Sequence, residues 1–199
     1  MLNRKDRINK RFFDILLAAV GIMLTWWIML IAWIIASIET GSNGLFLQQR
    51  IGKDGKLFAV FKIKTMKPSK EIATTVTISG DSRITKSGAF FRKTKVDELP
   101  QLFNVLFGQM SFVGPRPDVP GFADELRKED RMILGIRPGI TGPASLKYKN
   151  EEEILSKVKD PERYNREVIW PDKVRINKQY IQEWTFLKDI GYIIQTVTG

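Results

Sequence analysis

Between Ile15 and Ile38 the chain reads ILLAAVGIMLTWWIMLIAWIIASI, twenty-four residues without a charge. As a helix this segment is about 36 Å long, against a bilayer hydrocarbon core of about 30 Å. A chain of 199 residues has too little other material to bury such a rod. A cleaved signal peptide has an apolar region of only about 7 to 15 residues and ends in small residues, a pattern not seen here. The segment is therefore expected in a membrane. Arg4, Lys5, Arg7, Lys10 and Arg11 precede it, and Arg50, Lys53, Lys56, Lys62, Lys64 and Lys67 follow. Basic residues favour the cytoplasmic side, so two basic flanks are better served by a segment that enters and leaves through one face than by a straight span. No proline breaks the run; Asp14 at its entry, and Gly21 with Thr25 near its middle, are the local features that favour a bend.

The length fits one compact domain plus an appendage, so we expect a membrane-embedded part over 1–40 and a catalytic part over 41–199. Lys and Arg outnumber Asp and Glu by 32 to 22, which favours an anionic partner: phospholipid headgroups, a phosphorylated substrate or nucleic acid. The chain has no Cys and no His. Disulfides, thiolate nucleophiles, serine–histidine triads and imidazole or thiolate metal sites are thereby excluded. Any metal must be a hard cation on oxygen ligands, and magnesium fits best.

RIGKDGKLFAVFKIKTM reads as a β-hairpin, with Lys53, Asp54 and Gly55 as turn residues. Lys62 and Lys64 alternate onto one face, where a solvated strand edge is the ordinary reading, above all for Lys64. Residues 67–88 are polar and read as a mobile loop. Leu99, Leu102, Phe103 and Leu106 then recur at helical spacing, with Gly108 as a stop. Pro100 is tolerable only in a first turn, so this helix should begin close to Asp97. GPRPD and RPGITGP are loops carrying Arg116 and Arg137. A charged helical stretch over 121–134, a polar segment and a C-terminal helix over 177–197 complete the chain. Tyr180, Trp184, Phe186 and Tyr192 on that helix suit a membrane interface or a core equally. The expected fold is α+β and mostly helical: a re-entrant membrane helix, a small hairpin, a catalytic helix and interfacial amphipathic helices.

Two acids, Asp97 and Glu98, stand side by side in this basic chain. A carboxylate at a helix start usually caps free amides, a role worth about 0.5 to 2 kcal/mol. Here Arg92, Lys93 and Lys95 precede the pair and Arg116 follows it, fixed between Pro115 and Pro117, which narrow the directions in which its guanidinium can point. Cations, backbone amides and two acids make a site for a phosphorylated ligand, where an acid can bind magnesium or act as nucleophile. The alternative is a non-catalytic anchor whose basic loops lie on anionic lipid.

The order KRFFD, QQRIGKDGKLFAVFKIKTM, RKTKVDELPQLFNVLFGQMSFVGPRPD, RPGITG and FLKDIGYII resembles the monotopic phosphoglycosyl transferases of bacterial glycan synthesis, the bacterial sugar transferase family, over nearly the whole chain. The resemblance implies transfer of a sugar 1-phosphate from a UDP-sugar to polyprenyl (undecaprenyl) phosphate with release of UMP, through a phosphosugar on Asp97. Glu98 would be its partner at Mg2+, and Arg92, Arg116 and Lys62 would bind phosphate. Pro115, Pro117, Arg137 and Asp189 also match the family's motif positions. It further implies the cytoplasmic face of the bacterial inner membrane, contact with phospholipid and no nucleic-acid partner; self-association is left open. Where the family breaks its membrane helix at a Ser-Pro pair, this chain has Trp26 and Trp27, and TGPASLKYKN differs from the family's Trp-containing version, so no sugar preference is transferred through it. Direct attack by the lipid phosphate, with no covalent enzyme, is the rival order of events.

Overall fold

A computed structural model describes residues 3–67 and 81–198 of the chain. Helix α1 runs uninterrupted over Arg4–Thr40. It starts in a capping box: the Asn3 side chain accepts from the Asp6 amide at 2.8 Å, while Asp6 accepts from the Asn3 amide at 3.3 Å. Gly41, at φ 61°, ends it in the left-handed conformation that glycine adopts without strain. Its buried residues, Lys10, Asp14, Ala18, Met29, Ala32, Ala36 and Thr40, recur at steps of three or four positions with one step of eleven, about three turns, which keeps them on one face. That seam is mostly small, so the backbone packs close: a Cβ on Gly21 would stand 3.1 Å from a methyl of Leu102. The other faces expose Phe12, Leu16, Met23, Trp26, Ile31 and Ile38. No break occurs at Trp26 and Trp27, where backbone donors are intact; the Thr25 hydroxyl donates to the Gly21 carbonyl at 2.7 Å and stays within the helix.

The expected hairpin is present as β1 (Leu45–Ile51) and β2 (Leu57–Ile63), antiparallel, with Asp54 and Gly55 at φ 59° and 78° in the turn. Most of the loop expected over 67–88, namely 68–80, lies outside the described residues. Its end is already helix α2 (Lys86–Thr94), whose N-cap Thr85 accepts from the Gly88 amide. A 3-10 turn over Val96–Glu98 leads through Pro100 into α3 (Gln101–Leu106). Two short strands that sequence patterning did not indicate, β3 (Ser111–Val113) and β4 (Gly139–Thr141), pair in parallel. The charged stretch over 121–134 forms 3-10 turns at Ala123–Glu125 and Lys128–Gly135 in place of the expected helix.

The polar segment holds α4 (Pro143–Lys147), α5 (Glu151–Ser156) and α6 (Pro161–Tyr164), and a π-turn over Asn165–Ile169 joins α6 to α7 (Trp170–Gln182). The C-terminal helix expected over 177–197 is split between α7 and α8 (Phe186–Thr198). Glu183 leaves helical geometry, and Thr185 restarts the helix by accepting from the Lys188 amide. Tyr180 is buried, and Trp184 and Tyr192 pack on the same apolar cluster, so these rings serve the core. Leu187, Ile194 and Val197 are exposed on α8 and Phe186 marginally so, which gives α8 the amphipathic character expected there.

The N-terminal half of α1 is tied to the C-terminal end of the chain. Lys10 pairs with buried Asp189 of α8, whose carboxylate also accepts from Tyr180 at 2.6 Å and Trp184 at 3.0 Å. Asp14 accepts from the Ser111 hydroxyl and the Phe112 amide, both at 3.1 Å. At the other end of α1, Glu39 accepts from the Ser87 hydroxyl. Arg11 donates to the Val105 and Leu106 carbonyls at 2.6 and 2.9 Å, and Arg137 to the Gly108 carbonyl at 2.7 Å. Two arginines thus satisfy the carbonyls that the end of α3 leaves open, and fix that helix to α1 and the β4 loop.

Candidate active site

The left-handed Lys95, at φ 59°, ends α2 and opens the 3-10 turn that carries Asp97 and Glu98. The chain reverses there, and the acids are set between α2 and α3 against the inner face of β2. Asn104, fully buried on α3, fastens this unit to the hairpin: its oxygen accepts from the Phe61 amide at 3.0 Å and its amide donates to the Ala59 carbonyl at 2.7 Å. A polar residue on the apolar face of the Leu102–Val105 turn was the available signal for this role. Lys62, next to Phe61, is thereby aimed at the acid pair.

Arg116 and Lys62 both bond Glu98 Oε1, at 2.7 and 3.3 Å. Arg116 is aimed by its loop as well as by its prolines. The Gly114 amide donates to the Thr141 carbonyl, and the Gly139 amide donates to the Pro115 carbonyl at 2.8 Å. A Cβ on Gly139 would stand 2.2 Å from the Gly114 nitrogen, so GPRPD and RPGITG lie back to back at a distance that only glycine allows.

The two acids differ. Burial pushes the Glu98 carboxyl up, but Arg116 and Lys62 together outweigh it and hold Glu98 well below the usual carboxylate range. Asp97 is pushed up to about 6, first by burial and then by the Glu98 charge, against the pull of Lys62, Lys95 and Arg92. Asp97 is 7% exposed, and its Oδ1 is a buried oxygen without a hydrogen-bond partner. It makes no capping bond in its turn, nor does any side chain cap α3. The ordinary reading of an acid at a helix start therefore does not describe Asp97. Burial lowers the Lys62 ammonium while Glu98 raises it, and Glu98 raises the Arg116 guanidinium.

Of the residues singled out in the sequence, Lys62, Asp97, Glu98 and Arg116 come together, with Pro115 and Pro117 flanking the arginine. Arg92 faces Asp97 electrostatically but pairs directly with Glu152 of α5. Arg137 sits at the far end of α3, and Asp189 in the buried cluster with Lys10 and Tyr180; neither contacts the acid pair. Lys64 turns away to the Ser42 hydroxyl, as a strand-edge lysine would. Sequence reasoning passed over Arg50 and Asp118. Arg50 donates to the Pro117 carbonyl at 3.2 Å and is lowered to about 10 by burial and then by Arg116. Burial pushes Asp118 up to about 6 against Lys173, Arg50 and Arg116.

Hard oxygen donors are what this turn offers a cation. Among the described residues no third acid joins the pair to make a closed cage. Mg2+ takes one or two carboxylates and completes its shell with waters and substrate phosphate oxygens, so an unpartnered Asp97 oxygen beside Glu98 fits it.

The bacterial sugar transferase family matches residues 5–199. The chain is 31% identical over 202 residues to the galactosyl transferase CpsE of Streptococcus agalactiae serotype III (strain NEM316), covering 96% of this chain and 41% of that protein. It is 33% identical over 202 residues to the UDP-glucose:undecaprenyl-phosphate glucose-1-phosphate transferase of Escherichia coli (strain K12), covering 98% of this chain and 41% of that protein. The uncharacterized sugar transferase EpsL of Bacillus subtilis (strain 168) is 30% identical over 190 residues, covering 96% of this chain and 86% of its own. The chain thus spans about two fifths of the length of the first two and most of the third. With the family matched over residues 5–199, the chain belongs to the bacterial sugar transferase family.

Proposed function

We propose that this chain is a phosphoglycosyl transferase that moves a sugar 1-phosphate from a UDP-sugar to undecaprenyl phosphate. The observation that carries the reading is the asymmetry of the acid pair. Glu98 is bonded by Arg116 and Lys62, whereas Asp97 keeps a buried oxygen with no partner. An Asp97 oxygen attacks the sugar-bearing phosphorus, the bond to the bridging oxygen breaks, and that oxygen leaves with the nucleoside monophosphate. A phosphate oxygen of the lipid then attacks the same phosphorus and displaces the Asp97 carboxylate, which regains its charge. Arg116, Lys62 and Arg92 hold and neutralise phosphoryl oxygens, without which a carboxylate is repelled by an anionic diphosphate. Asp97 and Glu98 would hold Mg2+, which when bound supplies further neutralisation of the diphosphate. Incubation with UDP-sugars and undecaprenyl phosphate should yield UMP and a lipid-linked diphosphate sugar; a purified, folded chain that gives neither product with any UDP-sugar would leave the basic anchor as the reading. Labelled sugar phosphate retained on the protein when acceptor is withheld separates the covalent route from direct transfer.

The chain associates with the membrane through α1, and we place residues 1–40 in the inner leaflet region and 41–199 on the cytoplasmic face of the bacterial inner membrane. The bonds of α1 support a single-face arrangement. Lys10 and Glu39 are about 44 Å apart along a straight helix, yet both are bonded to the same folded body, through Asp189 and Ser87. A helix crossing to the far side would carry one of these ends away from its partner. Cysteines introduced singly at Lys5 and Lys53 of this cysteine-free chain should both resist an impermeant thiol reagent in intact cells. Labelling of the Lys5→Cys protein from outside would establish a span.

A further inference from the structure

The charged site does not end at Arg116. Three carboxylates face that guanidinium: Glu98, Glu151 and Asp118. Two of them, Glu151 and Asp118, also face Lys173, a residue in the first turn of α7 that belongs to none of the family motifs quoted above. Lys173 and Arg116 thus act on the same two acids, although they lie 57 positions apart in the chain, and α5 ties Lys173 to the site by contact: its consecutive Glu151 and Glu152 pair with Lys173 and with Arg92.

Lys173 is built in. Its side chain is 14% exposed, and its ammonium bonds Glu151 at 2.6 Å and lies 5.7 Å from the centre of the Tyr148 ring. That ring is itself fixed. Its hydroxyl donates to Asp172 at 2.8 Å, and Lys147 stands 5.5 Å from its centre while bonding the same Asp172 oxygen. An ammonium has three donors, and Glu151 takes one of them. The long, rotamer-rich stem of lysine normally loses entropy on binding; here the ring and Glu151 have already ordered it. A desolvated cation held in this way is worth far more to an incoming phosphate than a surface lysine.

We propose that Lys173 is a further binding residue of this site, positioned by Glu151 and Tyr148 to receive the nucleoside-side phosphate of the donor diphosphate. The inference rests on the donor reading above and extends it. Asp97 attacks the sugar-side phosphate, and the cations that bear most on Asp97 are Lys62, Lys95 and Arg92. Lys173 is linked to that group through the consecutive acids Glu151 and Glu152 without being one of them, which leaves it the second phosphate of the diphosphate. It stays with the phosphate after the bond breaks, and so acts on donor and on released monophosphate alike.

The test is calorimetric binding of UMP and of uridine to the full chain in detergent or nanodiscs. Lys173→Met should weaken UMP about tenfold and leave uridine, which has no phosphate, unchanged; Lys173→Arg should recover most of the loss. Because Lys173→Met leaves Glu151 without its partner, the double variant Lys173→Met/Glu151→Gln is the control. If the pair is only a structural ion pair, the double variant recovers parental UMP binding, and the inference is overturned. Equal weakening of UMP and uridine by Lys173→Met would also overturn it. A parent protein that binds no UMP would remove the donor reading, and the role of Lys173 with it.

Discussion

Asp97→Asn is expected to remove turnover by three orders of magnitude or more, on the order of what loss of a covalent nucleophile costs. The change preserves shape and replaces an anionic oxygen by an amide that cannot attack phosphorus at a useful rate. Donor alone should give the parent protein a burst of about one equivalent of nucleoside monophosphate per active enzyme, and the variant no burst. The fold should tolerate the change, because Asp97 makes no capping bond and its Oδ1 makes no hydrogen bond. Removing its charge also relieves repulsion from Glu98 in a buried site, so thermal stability should be equal to the parent's or higher. A folded Asp97→Asn variant that released monophosphate near the parental rate would transfer the nucleophilic role elsewhere.

Lys62 shows how the sequence revealed the site's chemistry and hid its geometry. Residue types and their order brought Asp97, Glu98 and Arg116 into one hypothesis, because prolines on both sides of an arginine and two acids before a helix are local signals. A lysine on a hairpin is ambiguous until the strand is placed. What places β2 is Asn104, which bonds the backbone on either side of Val60 from a helix more than forty positions away. Such long-range side-chain to backbone bonds leave no periodic trace.

The same reason accounts for the elements that were missed. Sheet β3–β4 is two three-residue strands whose pairing is set by glycines packed back to back, and strands that short carry no alternation to read. The stretch over 121–134 has helical composition, but its glycine and proline neighbours and tertiary packing of Ile133 and Leu134 hold it in 3-10 turns. Arg137 illustrates the converse: an arginine in a Pro/Gly loop stood out as a motif position, and its guanidinium is bonded to the carbonyl of Gly108. For α1 the apolar run, its helicity and its exposed faces were legible, while the seam from Lys10 to Thr40 that packs on the folded body depends on partners supplied from residues 58 to 189.

Glu98→Gln should cost turnover about a hundredfold or more, through two separable losses. The first is electrostatic and within the protein. Arg116 and Lys62 both bond Glu98 Oε1, and without the carboxylate charge they face each other across a partly buried site in which Arg116 keeps Glu151 and Asp118 but Lys62 keeps only Asp97 as an acid that faces it. Asp97 then becomes the counter-ion for Lys62, its carboxylate is held there, and it is a poorer nucleophile for that reason. The second loss concerns Mg2+. Glu98 Oε2 takes no bond from either cation and is the oxygen that can reach a metal beside Asp97. Turnover by the parent should disappear in excess chelator and return with magnesium, and Glu98→Gln should need a higher magnesium concentration for half its remaining rate. The two losses separate on that titration. If only the internal ion pairs matter, the variant's maximum falls while its magnesium midpoint equals the parent's, and full parental turnover in excess chelator would remove the metal from the site altogether.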